Sequence, residues 1–428
     1  MATDFRPIAL SGDWYMAQFH KINVVGLGYI GLPTAAVFAD HGVEVHGIDV
    51  SSHVIENVNA GRPHFGEPNL DALVRRVVEA GKLKASLKCE EADAFLIAVP
   101  TPFREGHKPD VSYVEAAARS IAPVLRAGNL VVLESTSPVG TTESLSRIMA
   151  EARPDLTFPH QKGELSDIRI AHCPERVLPG RIIEEVVNNP RVIGGVTRKC
   201  GQFALSLYKI VVKGECHVTN ARTAELVKLT ENAFRDVNIG FANEMSMICD
   251  ELSINVWELV RLANLHPRVN ILRPGPGVGG HCIAVDPWFI VDSAPKTARM
   301  IRAAREINDS KPDFVVKKIL QRAGDLKQPV IACLGLSYKP DVDDLRESPA
   351  IEVVEKLAHS GVGKILVVEP HVNKLPAQLD SSALQLEDFE TALKAANLIV
   401  LLVGHQAFLQ VDRYLLKDKF VIDTVGAW

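Results

Sequence analysis

The chain has 428 residues, 47% of them apolar and 23% charged, enough to bury two or three cores as a multidomain globular protein. Its 47 basic and 52 acidic residues leave a formal charge of -5, which excludes a basic field that would gather nucleic acid or an anionic membrane surface. Seven cysteines, at 89, 173, 200, 216, 249, 282 and 333, are scattered, odd in number and without a Cys-x-x-Cys, which argues against a disulfide framework or a zinc site and for a reducing cytoplasm.

Residues 1–20 lack the basic start and apolar stretch of a secretory signal, and no run of about 18 apolar residues is present for a membrane span. They read as a loose extension, with Met16 an alternative start. Lys21 to Gly26 is then a short β-branched strand running into Gly26-Leu27-Gly28-Tyr29-Ile30-Gly31, followed by a helix closed by Gly42 and a second strand over Val43 to Asp49. Further strands at Ala94 to Val99, Leu130 to Glu134 and Ile168 to His172, with helical patterns such as Val111 to Arg126 between them, predict a parallel doubly wound sheet ending near residue 210.

From about Asn220 to Leu252 the pattern becomes one long helix, and Val256 to Ala263 a second, capped by Asn255 with Glu258 three residues on. Beyond a link at 309–328, strands recur at Val330 to Leu336, Lys364 to Glu369, Asn397 to Val403 and Phe420 to Asp423, with a helix starting at Ser348-Pro349. The fold class is α/β, two Rossmann-like doubly wound domains joined by a long central helix. The expected organisation is an extension at 1–20, a dinucleotide-binding domain at 21–210, a central helical region at 211–308 and a second Rossmann-like domain at 309–428.

Gly26, Gly28 and Gly31 supply the tight turn, the close approach to a pyrophosphate and the close helix-to-strand contact of a dinucleotide fingerprint. Asp49, 23 residues after Gly26, ends the next strand where a carboxylate binds ribose hydroxyls. It would repel a 2′-phosphate, and Val50-Ser51-Ser52-His53 offers no arginine for one, so NAD is favoured over NADP. Pro100-Thr101-Pro102 and Ser135-Thr136-Ser137-Pro138-Val139-Gly140 stand past carboxyl ends of parallel strands and would line the nicotinamide side, or serve as ordinary turns.

His172 to Arg181 (HCPERVLPGR) puts a carboxylate, two arginines and two prolines after another strand end. Glu175 there either handles a water or proton or pairs with Arg176 or Arg181. Lys228 and Asn232, four apart on the long helix, share a face that can hold an oxyanion, although a lysine on a helix is more often simply solvated. Cys282 ends the glycine turn Pro276-Gly277-Val278-Gly279-Gly280-His281, with Asp286-Pro287 behind it. Free cysteines are mostly small buried hydrophobes, yet this turn presents one for chemistry. At an ordinary pKa of about 8.5 only about 3% is thiolate at pH 7, and a neighbouring lysine such as Lys228 raises that fraction.

The fingerprint, STSPVG, CPERVLPG, KLTEN, GPGVGGHCIAVDP and YKPDVDDLRESPA occur in this order, and from about residue 21 to 428 the chain resembles the nucleotide-sugar 6-dehydrogenases that oxidise UDP-glucose, GDP-mannose and related sugars. HCPERVLPGR, FRDVNIGFANE and HPRVNILRPGPGVGGHC look most like the branch acting on UDP-N-acetyl-D-mannosamine. Departures are Ser137, where many relatives have an apolar residue, and residues 1–20, which have no counterpart.

The resemblance implies Cys282 as nucleophile, Lys228 and Asn232 as oxyanion holders, and Asp286, Thr136 and Glu175 as managers of water and protons. It implies NAD against Gly26, Gly28, Tyr29, Ile30, Gly31, Asp49, Pro100, Thr101, Ser135, Thr136 and Arg346. The UDP-sugar would meet Arg176, Val177, Leu178, Lys228, Asn232, Arg268, Gly279, Tyr338 and Lys339, with Arg268 reaching from a neighbouring subunit. The expected reaction is a four-electron oxidation of the sugar alcohol through a thioester, with no metal, in a homodimer built on the central helix or a larger assembly. Alternatives are other sugars of the same class, a one-step dehydrogenase of the 6-phosphogluconate type, and a non-catalytic NAD-binding protein.

Overall fold

The structure, a computed structural model, describes residues 19–280 and 282–428. Residues 1–18, with the alternative start at Met16, lie outside the described residues. Phe19 and His20, counted with the loose extension in the sequence reading, are instead built into the fold. Phe19 is buried in a core, and Asp93 accepts hydrogen bonds from the backbone N–H groups of His20 and Lys21. The chain divides into two compact units between Thr230 and Glu231.

In the first unit the strands are β1 (Lys21–Val25), β2 (Glu44–Ile48), β3 (Leu83–Ser86), β4 (Ala94–Ile97), a small hairpin of β5 (Phe103–Arg104) and β6 (Lys108–Pro109), then β7 (Leu130–Leu133), β8 (Arg169–His172), β9 (Arg191–Gly195) and β10 (Cys216–Asn220). Eight of them form one sheet in the order β10-β9-β8-β7-β4-β1-β2-β3. The pairing is parallel except between β8 and β9, where Ala171 faces Gly195 in an antiparallel register, a departure from the all-parallel expectation. β4, β7 and β8 are buried at every position because helices cover both faces, and β4 and β7 are accordingly continuous apolar runs, whereas β8 buries Arg169 and His172 at its ends. The strand order reverses between β1 and β4, which opens a crevice at their carboxyl ends.

The helix Ala221–Glu251 spans 31 residues and contains the division between the units. In the second unit Asn255 caps Val256–Ala263, its side chain accepting from the N–H groups of Trp257 and Glu258. The strands β11 (Val330–Leu334), β12 (Lys364–Val368), β13 (Leu384–Leu386), β14 (Leu398–Leu401) and β15 (Phe420–Asp423) form an all-parallel sheet in the order β13-β12-β11-β14-β15. Residues 309–323 are not the expected link: they complete the 25-residue helix Arg299–Ala323, with Pro312 inside it. A proline in a helix interior costs about 3 kcal/mol, which is why the pattern reads as a break. Burial of Ala304, Asn308, Val315, Val316 and Ile319 along one side outweighs that cost.

Candidate active site

In the first unit, β1 ends at Val25 and the chain turns at Gly26 with φ +92°, a conformation that side chains disfavour. A Cβ at Gly26 would lie 2.5 Å from the carbonyl oxygen of Ala98, and one at Gly31 only 1.8 Å from that of Gly26, so both glycines are demanded by the turn itself. A Cβ at Gly28 would meet nothing within 4 Å. The space over Gly28 is thus open, as a backbone that receives a pyrophosphate requires. Tyr29 is part-exposed with its ring centroid 4.3 Å from that of Phe65, and Ile30 immediately precedes the helix Gly31–Asp40.

Asp49 follows β2, and its carboxylate accepts from the N–H groups of Leu27 and Ser51, each at 2.9 Å. The residue expected to recognise a ribose therefore also ties the end of β2 to the glycine turn. Past β4 lie Pro100 and Thr101, and past β7 lie Ser135 and Thr136. Thr101 donates from Oγ1 to the carbonyl of Thr136 at 2.6 Å, and Ser135 donates from Oγ to that of Val99 at 2.7 Å. The hydroxyls thus lace the β4 and β7 loops together along the crevice.

Glu175, past β8, is buried and paired with Arg191 at 2.5 Å, while Arg181 pairs with Glu184. Arg191 went unnoticed in the sequence, although a charged residue opening a strand otherwise made of Val, Ile and Gly is a visible signal. Beneath this pair Tyr208 donates to Glu134 Oε1 at 2.6 Å. Burial pushes the Glu134 carboxyl up to about 7, Glu175 adds to the shift, and the tyrosine opposes it. Burial likewise drives the Cys173 thiol upward, so that sulfur is inert. Arg176 and Val177 are half-buried, Leu178 is exposed, and Lys228 is half-buried one helical turn before Asn232.

In the second unit, Asn232 donates to Asp286 Oδ2 at 2.5 Å, with both side chains buried. Asp286 opens the helix Asp286–Ser293, with Pro287 in its first turn, and its N–H donates to the carbonyl of Cys282 at 2.9 Å. Cys282 is exposed, whereas Cys173, Cys200, Cys249 and Cys333 are buried and Cys89 and Cys216 half-buried. The glycine turn before it is pressed against the loop following β11: a Cβ at Gly279 would stand 2.6 Å from the carbonyl oxygen of Glu347 and 2.8 Å from Tyr338 Cβ. Asn232, Asp286 and Cys282 are thereby gathered at the start of one short helix.

Tyr338 and Lys339 line a cavity of about 450 Å³, together with Arg273, Gly277, the Leu402–Gly404 loop past β14 and the Val425–Ala427 turn past β15. It sits at the carboxyl ends of β11 and β14, where the strand order of the second sheet reverses, the ligand position of open α/β sheets. Arg346 is exposed and paired with Asp344, and Arg268 is exposed. Among the described residues Asp341, His371 and His405 lie near enough to share a metal ion. However, His405 Nδ1 accepts from the Asp341 N–H at 2.9 Å, which leaves Nε2 to donate to Glu369 at 3.0 Å, and the ring acts as a strut.

A glycine-turn sheet followed by a second doubly wound unit with its own crevice defines a dinucleotide-dependent oxidoreductase with a separate substrate-binding unit. Models of the UDP-glucose/GDP-mannose dehydrogenase family match the chain as an NAD-binding domain over residues 20–212, a central domain over 222–310 and a UDP-binding domain over 332–428. The chain belongs to this family; it is an NAD-dependent dehydrogenase of UDP-sugars. It is 61% identical over 411 residues to the NDP-N-acetyl-D-galactosaminuronic acid dehydrogenase of Ralstonia nicotianae, covering 96% of this chain and 97% of that one. It is 58% identical over 408 residues to the UDP-N-acetyl-D-mannosamine dehydrogenase of Campylobacter jejuni, covering 95% and 99%. The solved UDP-D-ManNAc dehydrogenase of Pyrococcus horikoshii superposes with a TM-score of 0.85 at 39% identity, covering 95% of this chain and 96% of that one.

Proposed function

We propose that the protein oxidises the C6 alcohol of a UDP-sugar twice, to the uronate, through a covalent intermediate on Cys282. The observation that carries this reading is the exposure of Cys282 at the end of a rigid glycine turn, one residue type otherwise kept buried or half-buried in this chain. NAD fits the open space over Gly28 and the Asp49 carboxylate, and when bound it supplies the hydride acceptor for both oxidations. Arg346 is proposed to reach its phosphates.

After the first oxidation the Cys282 thiolate adds to the aldehyde carbon, and the thiohemiacetal oxygen is held by the Lys228 ammonium and the Asn232 amide. The second oxidation converts this adduct to a thioester. Water, deprotonated by Asp286 or Glu175 with Thr136 ordering it, then attacks the thioester carbon and releases the acid and the Cys282 thiolate. Arg176, Val177, Leu178, Gly279, Tyr338 and Lys339 position the sugar nucleotide, the uridine diphosphate lying in the 450 Å³ cavity. The enzyme works in a reducing cytoplasm.

The sugar is proposed to be UDP-N-acetyl-D-mannosamine, supported by the Campylobacter jejuni and Pyrococcus horikoshii relatives. A 2-acetamido galactose sugar is the second reading, favoured by the name of the Ralstonia nicotianae relative. Phe234, Phe241 and Ile248 are exposed at seven-residue intervals on the long helix, an unpartnered apolar face that supports a homodimer, with Arg268 reaching into the partner's site. The test is NADH yield with UDP-ManNAc, UDP-GalNAc, UDP-GlcNAc, UDP-glucose and GDP-mannose. Two NADH per UDP-ManNAc are expected. One per sugar overturns the thioester route, and turnover confined to UDP-glucose overturns the choice of sugar.

A further inference from the structure

A second cavity, of about 350 Å³, opens in the second unit among the ends of the helices Ala221–Glu251 and Val256–Ala263, the middle of Arg299–Ala323, and the end of β15. Pro274 faces both this cavity and the larger one, and Thr424 lines one while Val425 lines the other, so the two lie back to back across the same segments. None of the chemistry above uses it.

Lys311 lines this cavity and is 5% exposed. Its ammonium carries three donors, and its partners are Ser246 Oγ at 2.5 Å and the Phe314 ring, whose centroid is 4.7 Å away. The carboxylates on the cavity wall are committed elsewhere. Asp250 pairs with Lys318, and Asp423 accepts from the N–H groups of Val425, Gly426, Ala427 and Trp428. Burial pushes the Lys311 ammonium down to about 8, Lys318 adds to this, and Asp250 opposes it. A buried cation is costly unless paired, and among the described residues no carboxylate forms an ion pair with Lys311.

The rest of the lining is mixed. Ser246, Ser253, Asn255 and Thr424 offer hydroxyl and amide groups, while Trp257, Phe314, Ile254 and Val315 form apolar walls. With Lys318 paired to Asp250, the one cation left without an ion pair beside apolar walls suits a monoanion with an apolar body rather than a multiply charged ion. We propose that this cavity is a binding site for a small organic carboxylate, its oxygens on Lys311 and its body between Trp257 and Phe314. The site is separate from the nucleotide cavity and does not depend on the reading of the reaction.

The experiment is calorimetric titration of the full chain with benzoate, with benzyl alcohol as the uncharged control and inorganic phosphate as the compact anion. One benzoate per chain is expected, in the millimolar range or tighter for so small a ligand, and at least about ten-fold weaker binding of benzyl alcohol and phosphate. Around pH 8 benzoate binding should be accompanied by proton uptake, because an anion favours the charged lysine; the other titratable groups facing the cavity are Asp250, Lys318, Asp423 and Cys249. Lys311→Met should lose benzoate and the proton uptake together, and Ile254→Trp should lose benzoate by filling the mouth while keeping the lysine. Equal binding to Lys311→Met, tighter binding of phosphate, or no benzoate bound by the parent chain at about 10 mM overturns the proposal. Should Lys311→Met not fold, Ile254→Trp decides: unchanged benzoate affinity there overturns it as well.

Discussion

The Asn232 amide reaches Asp286 Oδ2 at 2.5 Å with both side chains buried, linking the long helix to the first residue of the helix behind Cys282. The geometry fixes the amide flip: Nδ2 faces the carboxylate and Oδ1 is turned away from it. Asn232→Ala removes a charge-assisted donor from a buried carboxylate and should lower unfolding free energy by about 1–3 kcal/mol, read from urea titrations. Asn232→Asp should cost more at pH 7 and less at pH 4, because two adjacent carboxylates can share a proton only at the lower pH. An Asn232→Asp variant as stable as the parent at pH 7 would show that the pair is not closed in solution.

Gly28 and Gly31 belong to one motif but make opposite demands. Gly31→Ala sets a Cβ 1.8 Å from a carbonyl oxygen and should unfold or severely destabilise the first unit, measured by thermal melting. Gly28→Ala meets nothing within 4 Å and should melt within a few degrees of the parent, while its KM for NAD rises by at least about ten-fold as the methyl group enters the space for the pyrophosphate. Unchanged NAD affinity in Gly28→Ala would mean that the cofactor does not pass over that residue.

The sheets were legible because buried parallel strands advertise themselves as apolar runs, and β4, β7, β11 and β14 lie within the segments expected for them. Strands that carry charge and glycine, such as Arg191–Gly195, or mostly polar residues, such as Cys216–Asn220, escaped the same reading. Pro312 concealed the middle of a 25-residue helix, since a local breaker signal says nothing of the packing that overrides it. Motif order carried the candidate site residues. Partners that complete them through space, Arg191 for Glu175 and Tyr208 for Glu134, are 16 and 74 residues away along the chain and have no local signature.

Glu134 carries a pH dependence of definite sign. Its folded pKa of about 7 lies above the ordinary value of 4.5, so between those limits the native state binds more protons than the unfolded chain. Stability from this group is therefore complete below about pH 4.5 and is lost as pH rises through about 7, a difference on the order of a few kcal/mol. Glu134→Gln, which keeps an acceptor for Tyr208, should flatten that slope, so the variant gains on the parent between pH 5 and pH 8 in paired urea titrations. A parallel pH dependence in both proteins would show that the carboxyl is already ionised at pH 5.

Cys282 offers a test that does not wait on knowing the sugar. Alkylation by iodoacetamide requires a thiolate that the reagent can reach, and burial withholds both conditions from Cys173 and Cys333, whose thiols are pushed upward by desolvation. Brief labelling at pH 7 followed by peptide mass spectrometry should therefore place the first adduct on Cys282. The rate should fall in Lys228→Met, which removes the cation proposed to stabilise the thiolate. Saturating UDP-sugar should protect the same residue. Cys282→Ala should lower uronate formation at least about 1,000-fold, because it removes the nucleophile of the covalent step. Labelling spread evenly over the seven cysteines, or uronate formed at an appreciable rate by Cys282→Ala, would leave the thioester route without its nucleophile.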